Sequence, residues 1–185
     1  MTGTRTAAVA LGAGLLLAGC SSGSSPADAP SILASSTSSS APAEVSFAGV
    51  TLTGAADLTA KPKVIARSAT APAALSVKDV VTGSGAAATP TSTVTVQYVG
   101  VRYADGKQFV ASWDHGGATS FSLRGVVPGL TRGIGGAPGT EPMKVGGRRI
   151  VIVPAALGYG RAGTPDRSIP PNAPIVFVVD LVAVK

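Results

Sequence analysis

The sequence predicts an α+β domain in which an antiparallel sheet packs against one short helix. In "STVTVQYVGVRY" apolar and polar residues alternate, which places Val94, Val96 and Tyr98 on one face of a predicted strand. "GRRIVIVP" and "APIVFVVDLVAV" are the two most apolar strands, and "VVPGLTRGIGG" is the one plausible helix. A single helix among five or six strands joined by turns favours an antiparallel sheet.

Turn signals mark the remaining elements of this domain. "LSVKDVVTGSG" predicts a strand that ends in a turn, and Asp105-Gly106 is a strong hairpin signal after the alternating strand. "TSFSLRG" predicts a further short strand. Pro128 marks the start of the helix, which its glycines make short and weak. We therefore expect the folded domain to occupy residues 74–185.

The amino terminus has the pattern of a secretory leader. Arg5 is the only charge before a run from Ala7 to Ala18 that has no polar side chain, and this run is too short to span a bilayer. The run leads into Leu-Ala-Gly-Cys, which resembles the bacterial lipobox, so residues 1–20 are predicted to be a lipoprotein signal peptide and Cys20 to be lipidated. The alternative, a short buried helix, fits poorly with this terminal position. The pattern predicts an extracytoplasmic protein that is lipid-anchored to the bacterial cell membrane.

Two segments separate this leader from the domain. Residues 21–44 are almost entirely Ser, Ala, Pro and Gly, which predicts a disordered tether. Residues 45–73 are predicted to be an extension with possible edge strands. "VSFAGVTLTG" predicts one strand and "KPKVIAR" another, with Pro62 confining the second to an edge or a strand start.

The charge distribution argues against nucleic-acid binding. The formal net charge is +6, but the basic residues are scattered except for Lys61, Lys63 and Arg67 and the Arg148-Arg149 pair. No basic helix and no basic stripe with interleaved aromatics is present. We interpret the excess as a solvated basic face, which would also favour an anionic membrane surface or cell wall.

Most catalytic chemistries lack their residues here. Cys20 is the only cysteine and His115 the only histidine, and no serine lies in a Gly-x-Ser-x-Gly turn. The sequence has no metal-spaced carboxylates and no phosphate-binding loop, so we expect no metal and no cofactor. An enzyme with this sequence has to work without a nucleophile, a metal or a phosphate cradle.

Four motifs in a fixed order carry a family resemblance. They are "VTVQYVGVRYADGKQF", "SFSLRGVVPGL", "MKVGGRRIVIVPAALGYG" and "IPPNAPIVFVVDL". Together they resemble the FKBP-type peptidyl-prolyl cis-trans isomerases over roughly residues 74–185. The resemblance implies a bent antiparallel sheet of about five strands wrapped around one short helix, and isomerisation of X-Pro bonds. This reaction crosses a barrier of roughly 18–20 kcal/mol from amide resonance and makes no bond to the protein, so it needs none of the missing groups.

The resemblance also implies the site residues. Four are matched to catalytic positions and four to substrate-binding positions: Tyr98, Phe109, Tyr159 and Phe177 in the first group, and Val126, Val127, Leu130 and Ile169 in the second. Phe121 is expected to pack in the core beneath the site, although an alignment shift of two residues would place it in the wall.

This sequence departs from the family pattern at four places. Val110 stands where an aspartate is common, and Leu130 occupies a floor position that is usually tryptophan, for which Trp113 in a neighbouring loop is no substitute. "GAPGTEP" between Gly136 and Met143 is interpreted as an insertion, and "DRS" before Ile169 lengthens the loop over the pocket.

Two functions therefore stay open at this point. One is a prolyl isomerase that folds exported proteins. The other is a non-catalytic proline-peptide-binding chaperone or envelope interaction module, which Val110 and Leu130 favour. The implied partners are proline-containing clients, macrolide immunosuppressants and the membrane, and we expect a monomer.

Overall fold

The computed structural model describes residues 44–66 and 70–185. The predicted signal peptide with Cys20, Arg67 and residues 21–43 of the predicted tether lie outside the described residues. Glu44, the last residue of that predicted tether, is described and lies in a strand. Within the described ranges, no helix has the length and apolar character needed to cross a membrane.

The N-terminal extension forms a sheet of its own. Its strands are β1 (Glu44–Phe47), β2 (Val50–Thr53) and β3 (Lys63–Ala66), paired antiparallel in the order β1-β2-β3. "VSFAGVTLTG" thus contains two strands and not the single strand predicted, because Ala48 and Gly49 both have positive φ and turn the chain back. Pro62 directly precedes β3, where its missing N–H breaks no ladder.

The second sheet has six antiparallel strands. They are β4 (Ser76–Val81), β5 (Thr93–Arg102), β6 (Gln108–Ala111), β7 (Thr119–Ser122), β8 (Arg148–Val153) and β9 (Ile175–Val184). The order is β4-β8-β9-β5-β6, and β7 pairs with β5 at its N-terminal half. Three 3₁₀ turns accompany them, at Ser112–His115, Leu123–Gly125 and Ala155–Leu157. This α+β architecture confirms the predicted fold class.

The one α-helix among the described residues, α1 (Pro128–Gly135), packs across β8 through its glycines. A Cβ placed on Gly129 would lie 2.3 Å from a methyl carbon of Val153, and one on Gly133 would lie 2.6 Å from Val151. Gly129 and Gly133 are four residues apart and share a helix face. These residues lower the intrinsic stability of the helix, but they let its backbone approach the sheet closely.

The six-stranded sheet is buried on both faces. One face packs on α1, with Val94, Val151 and Val179 in that core. The other face packs on the N-terminal sheet. Val50 and Leu52 of that sheet lie in one core with the valines and isoleucines that the six-stranded sheet presents on this face. Burial on both sides explains why β8 and β9 are nearly continuous apolar runs.

Arg148 and Asp180 form a buried ion pair at the junction of the two sheets. The Arg148 side chain has no exposed surface, and its Nε and Nη2 lie 2.5 and 2.6 Å from the two carboxylate oxygens of Asp180. The same guanidinium donates to the carbonyls of Gly54, Ala55 and Ala60 in the N-terminal extension. Burial raises the pKa of Asp180, and the Arg148 charge opposes that rise.

The interpretation of the Arg148-Arg149 pair as part of a solvated basic face is wrong. Arg149 is also buried, and its guanidinium binds the Asp79 carboxylate and the carbonyls of Gly133 and Glu141. Both arginines are inside because each has a carboxylate and backbone oxygens to satisfy its donors. Lys61, in contrast, is partly exposed and pairs with Asp114.

Candidate active site

A cavity of about 660 Å³ opens between the helix-side face of the second sheet, the start of α1 and the loop after Tyr159. All eight predicted site residues line it: Tyr98, Phe109, Val126, Val127, Leu130, Tyr159, Ile169 and Phe177. The further lining residues are Val96, Val110, Phe121, Gly125, Ile134, Thr164, Pro165, Asp166, Ser168 and Val179. The wall is therefore apolar over most of its area, and the Thr, Asp and Ser side chains that line it all lie in the loop after Tyr159.

Four aromatic rings form one continuous wall. The Phe109 and Phe177 rings meet edge to face, with centroids 5.7 Å apart and an interplanar angle of 83°. Tyr98 contacts Phe177 at 6.5 Å between centroids, and Tyr98 and Phe121 meet edge to face at 6.2 Å. Edge-to-face contacts of this kind stabilise fixed ring orientations, so the wall has a defined shape.

A β-bulge turns two consecutive residues of β6 toward the cavity. Gly100 pairs with Val110, and Val101 pairs with Gln108, which leaves Phe109 as the extra residue. In a regular strand, neighbours point to opposite faces, but both Phe109 and Val110 line the cavity. Bulges commonly re-aim side chains in this way beside functional sites.

The backbone at Tyr98 is fixed by a residue that the sequence analysis missed. Ser112 is buried, and its hydroxyl oxygen accepts a hydrogen bond from the Tyr98 N–H at 2.9 Å. The hydroxyl itself donates to Oε1 of Gln97. The side chain of Ser112 therefore replaces the strand partner that Tyr98 lacks beyond the end of β6, and no local sequence pattern marks it.

Phe121 belongs to the wall, so its expected place in the core beneath the site is wrong. It pairs directly with Val94 in the β5–β7 ladder, and directly opposed residues project to the same face. Since Val94 faces α1, Phe121 faces the cavity as well. This matches the shifted alignment that the sequence analysis left as an alternative.

The floor and the helix side of the cavity are aliphatic. Leu130 is only 8% exposed and lies at the start of α1, with Ile134 one turn further along. Val126 and Val127 lead into the helix in extended conformation, and the carbonyl of Val127 accepts from the N–H of Leu130 at 2.9 Å. The floor is thus held by the first turn of the helix.

The loop after β8 supplies the opposite side. Tyr159 is 37% exposed. Its partial burial, and to a smaller extent the neighbouring Tyr98, raises its pKa above the ordinary value. The phenol therefore stays protonated and can donate a hydrogen bond into the cavity. Ile169 is buried, and its backbone is fixed to Thr164 by bonds in both directions, N–H to Oγ1 at 3.0 Å and carbonyl to N–H at 2.9 Å.

Comparison with known proteins gives the family. A family model described as "FKBP-type peptidyl-prolyl cis-trans isomerase" matches residues 85–182, more than half of the chain. The chain belongs to this family. It is 42% identical over 126 residues to the FK506-binding protein of Streptomyces anulatus, covering 67% of this chain and 97% of that protein.

Two further relatives agree with this assignment. The isomerase FkpA of Escherichia coli K12 is 42% identical over 103 residues, which cover 56% of this chain and 35% of FkpA. The crystal structure of FkpA aligns with a TM-score of 0.54 at 39% identity, covering 65% of this chain and 51% of that one. The crystal structure of AtFKBP13 aligns with a TM-score of 0.57 at 30% identity, covering 62% and 96%.

This FKBP-type isomerase has an acidic residue in its cavity that the sequence analysis did not single out. Asp166, in the lengthened loop, lines the cavity. Hydrogen bonding, first from Thr164 and then from Ser168, lowers the pKa of its carboxyl. Val110 contributes no charge to its wall, so the carboxylate of the FKBP cavity lies on the loop.

Two other segments are away from the FKBP cavity. Residues 136–143, interpreted as an insertion, form a tight turn with an Ala137–Thr140 bridge, and none of them lines the cavity. The carbonyl of Glu141 in this segment accepts from Arg149. Trp113 packs against the core on the opposite face of the sheet and is no part of the floor.

Proposed function

We propose that this isomerase acts on X-Pro bonds of exported polypeptides, with the proline ring held in the aromatic cavity. The single observation that carries the proposal is the convergence of Tyr98, Phe109, Tyr159 and Phe177 on one apolar cavity. These are residues that the family resemblance implies, and they come from four separate elements of the chain.

The cavity favours the twisted amide over the planar one. Rotation about the C–N bond removes resonance and reduces the charge separation of the amide, so a water-poor apolar wall stabilises the transition state relative to the ground state. The Tyr159 hydroxyl donates to the carbonyl oxygen before proline. Leu130 and Val127 contact the ring from below, and the Phe109–Phe177 pair encloses its side.

Export and anchoring belong to the same proposal. The apolar run that ends at Cys20 supports cleavage before this cysteine and its lipidation. The Ser/Ala/Pro tract of residues 21–43 then connects the lipid to the folded domain. A client newly released from the membrane would meet a folding enzyme held at the same surface.

One experiment tests the catalytic part. The full chain in detergent is assayed for cis-trans exchange of a proline peptide by NMR, and the peptide is titrated in parallel. Turnover that is lost in Phe109→Ala supports the proposal. Binding without rate enhancement would instead establish the non-catalytic chaperone or envelope module that Val110 and Leu130 favour.

A second experiment tests the anchor. Mass spectrometry of the chain purified from a bacterial membrane fraction should show an acylated N-terminal Cys20, and Cys20→Ala should release the chain into the soluble fraction. An unmodified chain that begins at Met1 would contradict the anchoring proposal. Macrolide binding, which the name of the Streptomyces relative supports, is tested by competition of FK506 with the proline peptide.

A further inference from the structure

A second groove of about 360 Å³ adjoins the catalytic cavity. Val126 lines both spaces, so the groove begins where the rim of the cavity ends. Pro90, Val126 and Pro128 supply its apolar surface, and Arg124 and Arg132 supply its charge. A polypeptide that leaves the cavity across Val126 enters this groove.

The groove is cationic, and its two arginines are available to a ligand. Arg124 and Arg132 are both exposed, and no Asp or Glu lines the groove. The ion pairs among the described residues involve Lys61, Arg102, Arg148 and Arg149, and neither groove arginine. The hydroxyl of Thr131, the other polar side chain there, is committed to the Leu123 carbonyl at 2.6 Å.

We propose that Arg124 and Arg132 bind a carboxylate of the client polypeptide close to its proline, and so give the isomerase a preference for acidic sequences. This inference rests on the proposed function. An extended chain advances about 3.3 Å per residue, so residues two to four positions from the bound proline lie outside the cavity. Guanidinium groups bind carboxylates through paired N–H donors, and the apolar lining of the groove suits the side-chain stem of the same segment.

The test uses pairs of proline peptides that differ only in charge. Each pair consists of one peptide with two Glu residues and one with two Gln residues, both within two to four positions of the proline. In the first pair these residues precede the proline, and in the second pair they follow it. The ratio of kcat/KM for the Glu peptide to that for the Gln peptide is measured on the full chain at low and high salt. We expect a ratio of about three to ten at low salt for one of the two pairs, falling with added salt.

The variants locate the effect. Arg124→Gln with Arg132→Gln should bring this ratio close to one. The matched control, Lys63→Gln with Lys107→Gln, removes the same charge from two exposed residues that line neither space, and it should keep the ratio.

The other outcomes overturn the inference. A ratio near one for both pairs in the unmodified chain means that no acidic preference exists. A ratio that survives in the arginine variant means that the charge is recognised elsewhere. Both results require that the Gln peptides are isomerised. If neither type of peptide is isomerised, the proposed function fails and the inference fails with it.

Discussion

Gly100 lies directly opposite Phe177 in the sheet, and the Phe177 ring occupies the space above it. A Cβ on Gly100 would lie 2.9 Å from Cε1 of Phe177 and 2.8 Å from Cζ of Phe109. Real Cβ atoms do not come this close to carbon, so the absence of a side chain at Gly100 lets the two rings meet edge to face. One backbone position thus determines the shape of the aromatic wall.

Gly100→Ala should therefore impair catalysis. The added methyl group pushes Phe109 and Phe177 away from β5 and into the cavity, and overpacking of this kind costs about 1–3 kcal/mol of stability. We expect kcat/KM for a proline peptide to fall at least tenfold. Thermal unfolding should show that the variant is still folded at the assay temperature. Unchanged kcat/KM would show that the ring positions are not critical.

Tyr159→Phe should lower activity without affecting stability at neutral pH. The substitution removes only the hydroxyl that we propose as donor to the substrate carbonyl, and a neutral hydrogen bond contributes about 0.5–1.5 kcal/mol net. We expect kcat/KM to fall about two- to tenfold in a protease-free exchange assay.

Tyr103→Phe is the matched control for this variant. The same change there removes a buried hydroxyl that donates to the Ala48 carbonyl at 2.7 Å, on the opposite face of the sheet. It should lower the free energy of unfolding by about 1 kcal/mol and leave kcat/KM unchanged. Equal activity losses in the two variants would refute a specific role for the Tyr159 hydroxyl.

The isomerase rate should be independent of pH from about 5 to 9. The titratable residues lining the cavity are Tyr98, Tyr159 and Asp166. Hydrogen bonds from Thr164 and Ser168 lower the pKa of Asp166 below its usual value near 4, so it stays charged above that pH. Burial raises the pKa of Tyr159 above about 10, so it stays protonated below that pH. A bell-shaped kcat/KM profile centred near neutral pH would contradict a mechanism without acid-base groups.

The raised pKa of Tyr159 also predicts that the protein loses stability at high pH. The folded state holds the Tyr159 proton more tightly than the unfolded chain does. The unfolded state therefore ionises first, and stability declines as the pH rises from about 10 through the folded pKa. Urea unfolding of the parent chain and of Tyr159→Phe at pH 9 and 11 measures this, and the decline should be smaller in the variant.

The alternation of β5 and the short helix were predictable because they depend on local sequence. Period-two alternation places Val94, Val96 and Tyr98 on one face whatever the partner strand is. The orientation of Phe109 was not predictable in this way, because its bulge depends on the offset between β5 and β6. The family resemblance matched Phe109 to a wall position, and Phe109 does line the cavity, although the strand pattern alone could not indicate this.

The two adjacent arginines show a second limit of sequence. Charge and composition assign Arg148 and Arg149 to the surface, as for most arginines. Their burial depends on Asp180 and Asp79, which lie opposite them on neighbouring strands and are far away in sequence. The N-terminal sheet, which helps to enclose Arg148, likewise forms from short strands whose sequences alternate only weakly.

Arg148 should be essential to stability because it pairs with the buried carboxylate of Asp180. Arg148→Met leaves the Asp180 carboxylate buried without its partner and also releases the carbonyls of Gly54, Ala55 and Ala60. Breaking a buried pair on one side costs about 3–5 kcal/mol, which urea unfolding of the full chain measures. Arg148→Met with Asp180→Leu should be clearly more stable than Arg148→Met alone, because no buried charge remains.

Arg102→Gln, which breaks the more exposed pair with Asp105, is the control and should cost less than about 1 kcal/mol. A double variant no more stable than Arg148→Met would show that the loss comes from the backbone carbonyls and not from the unpaired carboxylate.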